Sequence, residues 1–136
     1  MFQKVDYRDL NARQKESYNF HKVAARLADY GYNSILLNDD WQGADFIAIH
    51  IYDDFLKVQL KGRLTMEKKY LGKNIRVAFF HRNDLYVYDH DAFVAFTIEH
   101  KKLGSENTSW NKNGQWSWPN PPQWALDELK QYRVDP

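Results

Sequence analysis

Between residues 43 and 62 the chain carries two short strings suited to phosphodiester hydrolysis, Gly43-Ala44-Asp45 and Val58-Gln59-Leu60-Lys61-Gly62. Cleaving such a bond calls for hard oxygen donors that hold a divalent cation, and for an ammonium beside the attacking water. Asp45 offers a carboxylate and Gln59 an amide carbonyl. Lys61 offers a positive charge that could orient the water or offset charge building on the phosphorane. If residues 55–63 form a strand, alternation puts Lys57, Gln59 and Lys61 on one face and Leu56, Val58 and Leu60 on the other. The second face is core. The first sets an amide beside an ammonium, an arrangement that a plain solvent-facing strand also produces. The small Gly43 and Ala44 leave room for a ligand next to Asp45.

Glu16 is a further candidate. It lies four residues before Phe20 and seven before Val23, in line with the apolar stripe Phe20, Val23, Ala24, Leu27 and Tyr30. On that face a carboxylate is costly unless a cation or Lys61 pairs with it; a solvated place at the frayed helix end is the plainer alternative. Charge is also segregated. Residues 39–54 contain five aspartates and no Lys or Arg, whereas residues 57–82 hold eight basic residues against one acid, Glu67. From this stretch Lys57, Arg63, Lys68, Lys69 and Lys73 are candidate phosphate contacts, although solvated surface explains many such runs. Trp41 is a candidate substrate wall.

These groups need elements to position them. Asn11 can cap a helix with Gln14 as its box partner, and the stripe predicts a helix over roughly residues 11–30, stopped at Gly31. Strands are predicted over 34–37, 45–52, 55–63, 75–80 and 85–88, with 38–43 a loop, Asp53-Asp54 a hairpin turn and Asn83-Asp84 another. Residues 64–74 read as a polar connection. Asp91 is the expected cap of a second helix running to about Lys102, before Gly104. Residues 105–122 read as a long irregular loop, and Trp124 to Tyr132 as a closing helix after Pro121-Pro122. Trp110, Trp116, Trp118 and Trp124 in this region could stack on unpaired bases, but pinning the loop to the domain is the favoured role.

Composition bounds the rest. At 136 residues, with 43% hydrophobic and 16% aromatic side chains, one packed domain is expected: a core over 1–104 and a Trp/Pro/Gly-rich loop plus helix over 105–136. A net charge of +1 argues against a protein that coats nucleic acid by bulk charge. No cysteine is present, which excludes disulfides and thiolate metal sites. His50 and His81 lack a zinc spacing. Without an apolar signal core or a membrane-length run, a soluble, cytoplasmic protein with no membrane partner is the expectation.

Taken together, Glu16, Gly43-Ala44-Asp45 and Gln59-Leu60-Lys61 resemble the PD-(D/E)XK nuclease superfamily, over roughly residues 11–90. The resemblance implies a restriction-endonuclease-like α/β sandwich, with a central mixed sheet of about four or five strands flanked by helices. It implies a Mg²⁺- or Mn²⁺-dependent endonuclease acting on DNA, with RNA as the alternative substrate. Asp45, Gln59, the Leu60 carbonyl and Glu16 would hold the metal, and Lys61 would be the catalytic lysine. The chain departs from the pattern at Ala44, where the family has Pro, and at Gln59, where it has Asp or Glu. A Gln there is similar to the variant of some active homing endonucleases, yet it lowers the negative charge of the site. A catalytically impaired nucleic-acid-binding protein that keeps the fold is therefore the second expectation. Small nucleases of this kind often need two sites to sever a duplex, so a homodimer or higher homo-oligomer is expected.

Overall fold

The computed structural model describes residues 1–52, 54–103, 107 and 109–136. Helix α1, Ala12–Ala28, starts where its cap dictates. The Gln14 amide N–H donates to the Asn11 side chain at 2.8 Å, and the Asn11 N–H donates back to Gln14 Oε1 at 2.9 Å. Its apolar stripe buries Phe20, Val23 and Leu27.

Strands β1 (Tyr32–Trp41), β2 (Ala44–His50) and β3 (Phe55–Leu60) form an antiparallel meander. Strand β4, Leu64–Glu67, leaves this sheet, and β5, Ile75–His81, returns to pair parallel with β3. Strand β6, Asp84–Asp89, then leads into α2, His90–Glu99. A π-helical turn over Ser109–Asn113 precedes β7, Gln115–Trp118, α3, Gln123–Leu129, and β8, Arg133–Val134. The main sheet has six strands in the order β1-β2-β3-β5-β6-β8, and β4 with β7 makes a second, two-stranded sheet. Among the described residues, only the β3–β5 pair of the main sheet is parallel.

Alternation along the strands divides the core. One face sets Phe46, Ala48, Val58, Ala78, Leu85 and Val87 against α1. The other sets Val77, Phe79, Tyr86 and Tyr88 against α2, α3 and the small sheet. This is the expected α/β sandwich, with more strands than expected.

Several boundaries differ from the sequence reading. The expected loop at 38–43 is mostly strand, because β1 runs on as a polar, exposed edge and turns only at Gln42-Gly43. Solvated edge strands lack the apolar alternation that marks inner ones. Within the expected connection 64–74, Leu64–Glu67 is a fully buried strand, and it pairs with Gln115–Trp118 from the expected irregular loop. The cap of α2 is Asp89, whose Oδ1 accepts from the Ala92 N–H at 3.1 Å, so the helix starts one residue before Asp91. The closing helix ends at Leu129 and gives way to a 3-10 turn over Lys130–Tyr132. Of the Asp53-Asp54 turn and the Gly104 stop, Asp53 and Gly104 lie outside the described residues. Trp110 is buried and Trp116, Trp118 and Trp124 pack against the second core, so these tryptophans pin the C-terminal segment to the domain.

Candidate active site

The β2–β3 hairpin carries the predicted groups. Phe46 pairs with Val58, so one step further Asp45 stands opposite Gln59, and both share the face that Lys61 extends. The Lys61 N–H donates to the Ala78 carbonyl at 3.0 Å, which keeps this residue in the β3–β5 ladder although β3 itself ends at Leu60. Hairpin register thus places Asp45, Gln59 and Lys61 together.

Asp45 is half-buried, and its Oδ2 accepts from the Leu60 N–H at 2.8 Å. Burial pushes its carboxyl above the ordinary value; the Leu60 hydrogen bond and the Lys61 charge oppose this, while Asp40 and Glu16 add to it. Glu16 therefore acts on Asp45 through its field, but it is exposed rather than core-facing. The stripe of α1 becomes buried only from Phe20 onward. The Gln59 amide nitrogen lies 3.5 Å from the Leu60 carbonyl, a weak contact that leaves the amide free to turn.

Lys61 reaches across to β4. Its Nζ donates to Glu67 Oε1 at 2.9 Å, and Lys69 Nζ sits 3.2 Å from the other oxygen of the same carboxylate. Glu67 is 6% exposed. Burial alone would raise its carboxyl, but the hydrogen bonds and charges of Lys61 and Lys69 outweigh that and hold it below the ordinary glutamate range. Tyr70 closes one side: Lys61 Nζ lies 5.6 Å and Lys69 Nζ 5.2 Å from its ring centroid. Burial and the Glu67 charge push the Tyr70 hydroxyl up to about 12, so it stays protonated at neutral pH.

Two buried side chains fix the Glu67 strand from behind. The Glu67 N–H donates to His90 Nε2 at 2.9 Å, and the Tyr88 hydroxyl donates to the Thr65 carbonyl. His90 is fully buried, and burial lowers its pKa against the opposing pull of Asp91, so the ring is neutral at pH 7. Since Nε2 accepts, the ring proton sits on Nδ1, 3.5 Å from Asp91 Oδ1.

The loop before Asp45 is shaped by the same wall. Gly43 has φ 88°, and a Cβ there would lie 2.9 Å from the Tyr70 ring. Its N–H donates to Asp40 Oδ1 at 2.7 Å, which draws that carboxylate toward the site.

The candidate phosphate contacts disperse. Lys57 Nζ lies 5.7 Å from the Trp41 ring centroid and donates to Gln42 Oε1 at 2.9 Å. Lys68 caps Trp110 at 5.1 Å, Lys69 is held by Glu67, and Arg63 and Lys73 are exposed. Among the described residues, no three His, Cys, Asp or Glu side chains converge as a metal cluster.

Neither a protein-family model nor a curated protein matches the chain. Among solved structures, it is similar to a bacterial homing endonuclease at 13% identity, with a TM-score of 0.53 over 91% of this chain and 87% of that one. The two share a fold. At that identity the likeness extends to architecture alone.

Glu67, Tyr70 and His90 escaped the sequence reading. The signal for Glu67 was present, as the one acid among eight basic residues, but its significance depends on β4 folding back beside β3.

Proposed function

We propose that this chain is a DNA endonuclease dependent on Mg²⁺ or Mn²⁺, of the PD-(D/E)XK type in a D…QxK form. The observation that carries the reading is the meeting of Asp45, Gln59 and Lys61 on one face of the β2–β3 hairpin. The donor set suits a hard cation: the Asp45 carboxylate, the Gln59 amide oxygen, the Leu60 carbonyl and, from α1, Glu16. Asp45 also sits in an excess of negative charge from Asp40 and Glu16 that a cation would relieve. Bound there, the metal would supply Lewis acidity at the scissile phosphate.

The protein's own groups do the rest. The Leu60 N–H fixes one Asp45 oxygen and leaves the other to face the ligand. Glu67 anchors the Lys61 ammonium beside Asp45, where it can hydrogen-bond a water and offset charge on the transition state. Tyr70 shields one side from bulk solvent. The fold shared with a homing endonuclease supports DNA over RNA as substrate. A homodimer, offering two sites to one duplex, is the working assembly.

The expected result is nicking of supercoiled plasmid in Mg²⁺ or Mn²⁺ but not in a chelator. Lys61→Ala should slow it by about a hundredfold or more. Undiminished cleavage by that variant would refute the mechanism. The amide at Gln59, which lowers the negative charge of the site, favours a second reading, a nucleic-acid-binding protein without cleavage. Calorimetry separates the two: Mn²⁺ heat no greater than that of an Asp45→Ala control supports the second.

A further inference from the structure

A groove of about 510 Å³ opens between α1 and the β5–β6 turn, and the cleavage chemistry above uses only its Leu60–Lys61 end. Lys22, Arg26, Lys61 and Arg82 line it, and among the described residues no acid does. Lys61 is paired with Glu67, so Lys22, Arg26 and Arg82 make the local excess of positive charge in a chain of net charge +1. Its rim carries an aromatic pair, Tyr7 and Tyr18, with ring centroids 5.2 Å apart and exposures of 40% and 42%. The Asn19 amide donates to the Tyr7 hydroxyl at 3.1 Å and so holds that ring against α1.

Arg82 supplies an independent sign. It occupies the β5–β6 turn at φ 58°, where Gly or Asn would be the low-strain choice. Its side chain makes no ion pair among the described residues and lines the groove. An unpaired cation at the wall of an acid-free groove keeps its charge for an anionic ligand.

At Lys61 and Gly62 this groove meets a second one of about 380 Å³, which continues past Arg63 and Thr65 to Gln115 and Ser117. Lys61 thus stands where the two join. Exposed aromatic rings beside cations suit unpaired bases and their phosphates.

We propose that the α1 groove holds an unpaired stretch of DNA on one side of the bond to be cut. Its phosphates meet Lys22, Arg26 and Arg82, and a base stacks on the Tyr7–Tyr18 pair. This rests on the nuclease reading, and the test separates the two. Fluorescence anisotropy with a labelled single strand of about 12 nucleotides, and with the matching duplex, is measured in a chelator so that no cleavage occurs. The single strand should bind more tightly, and Tyr18→Ala and Arg82→Gly should each weaken it about five- to tenfold. Arg82→Gly should melt at or above the wild-type temperature, which rules out misfolding as the cause. Unchanged single-strand affinity in both variants, or duplex affinity equal to single-strand affinity, overturns the proposal. If the binding pattern holds but plasmid nicking fails, the groove stands and the nuclease reading falls.

Discussion

Glu67→Gln tests whether the buried carboxylate holds the site together. The substitution keeps the shape but removes the charge that two ammonium groups face at 2.9 and 3.2 Å. Breaking a fully buried pair costs about 3–5 kcal/mol, whereas an exposed pair contributes about 0–1 kcal/mol. The Lys61 side chain is 24% exposed and that of Lys69 is 66% exposed, so both can partly rehydrate and the Lys69 pair counts for little. Between those limits, the expected loss is about 2 kcal/mol. For a chain of this length, that lowers Tm by roughly 6–10 °C at pH 7, read by circular dichroism. The pH dependence has a definite sign. Glu67 titrates below its ordinary value of 4.5 in the folded state, so its stabilisation is present above that pH and is lost as pH falls through the lower folded value. Wild type and variant should therefore converge in acid. A variant that melts with wild type at pH 7, or a gap that persists unchanged in acid, refutes the reasoning.

Asp45→Asn should act oppositely. The folded protein binds a proton at Asp45 more tightly than the unfolded chain does, so the ionised form is a cost once pH rises above the folded value. The Asn variant should melt at or above the wild-type temperature at pH 7, lose that advantage near pH 3.8 and below, and fail to nick plasmid. A clear drop in Tm at pH 7 would count against it. Gly43→Ala must hold φ 88° and meet the Tyr70 ring at 2.9 Å, so a loss of about 2 kcal/mol or more is expected in thermal melts. A fall below about 0.5 kcal/mol would show that Tyr70 does not set this wall.

What could be read from the sequence was local. The Asn11–Gln14 cap declares itself three residues apart, and the apolar stripe of α1 follows from it. Setting Asp45 on the face of Gln59 and Lys61 needed only a hairpin and a period of two. Residues whose role depends on distant partners were not legible. Leu64–Glu67 looks like part of a polar connection until it meets Gln115–Trp118, some 50 residues later in the chain. Lys61 could be named as an ammonium near Asp45, but not as one anchored to Glu67. The exposed place of Glu16 depended on where burial of α1 begins, which the stripe alone does not give.

The way β4 is attached has a dynamic consequence. Thr65 and Glu67 meet β6 and the start of α2 through the side chains of Tyr88 and His90 instead of a backbone ladder. A two-stranded sheet has little stability of its own, so β4 and β7 are held by those two side chains, by the Glu67–Lys61 pair and by core packing. Leu64 and Met66 are fully buried in one core with Val77, Phe79, Tyr86 and Tyr88, so β4 cannot leave without opening that core. Amide protons of β4 should then exchange with solvent about as slowly as those of β5. Glu67 therefore stays beside Lys61 for as long as the domain is folded. The burial of a small sheet thus sets how long the lysine keeps one partner.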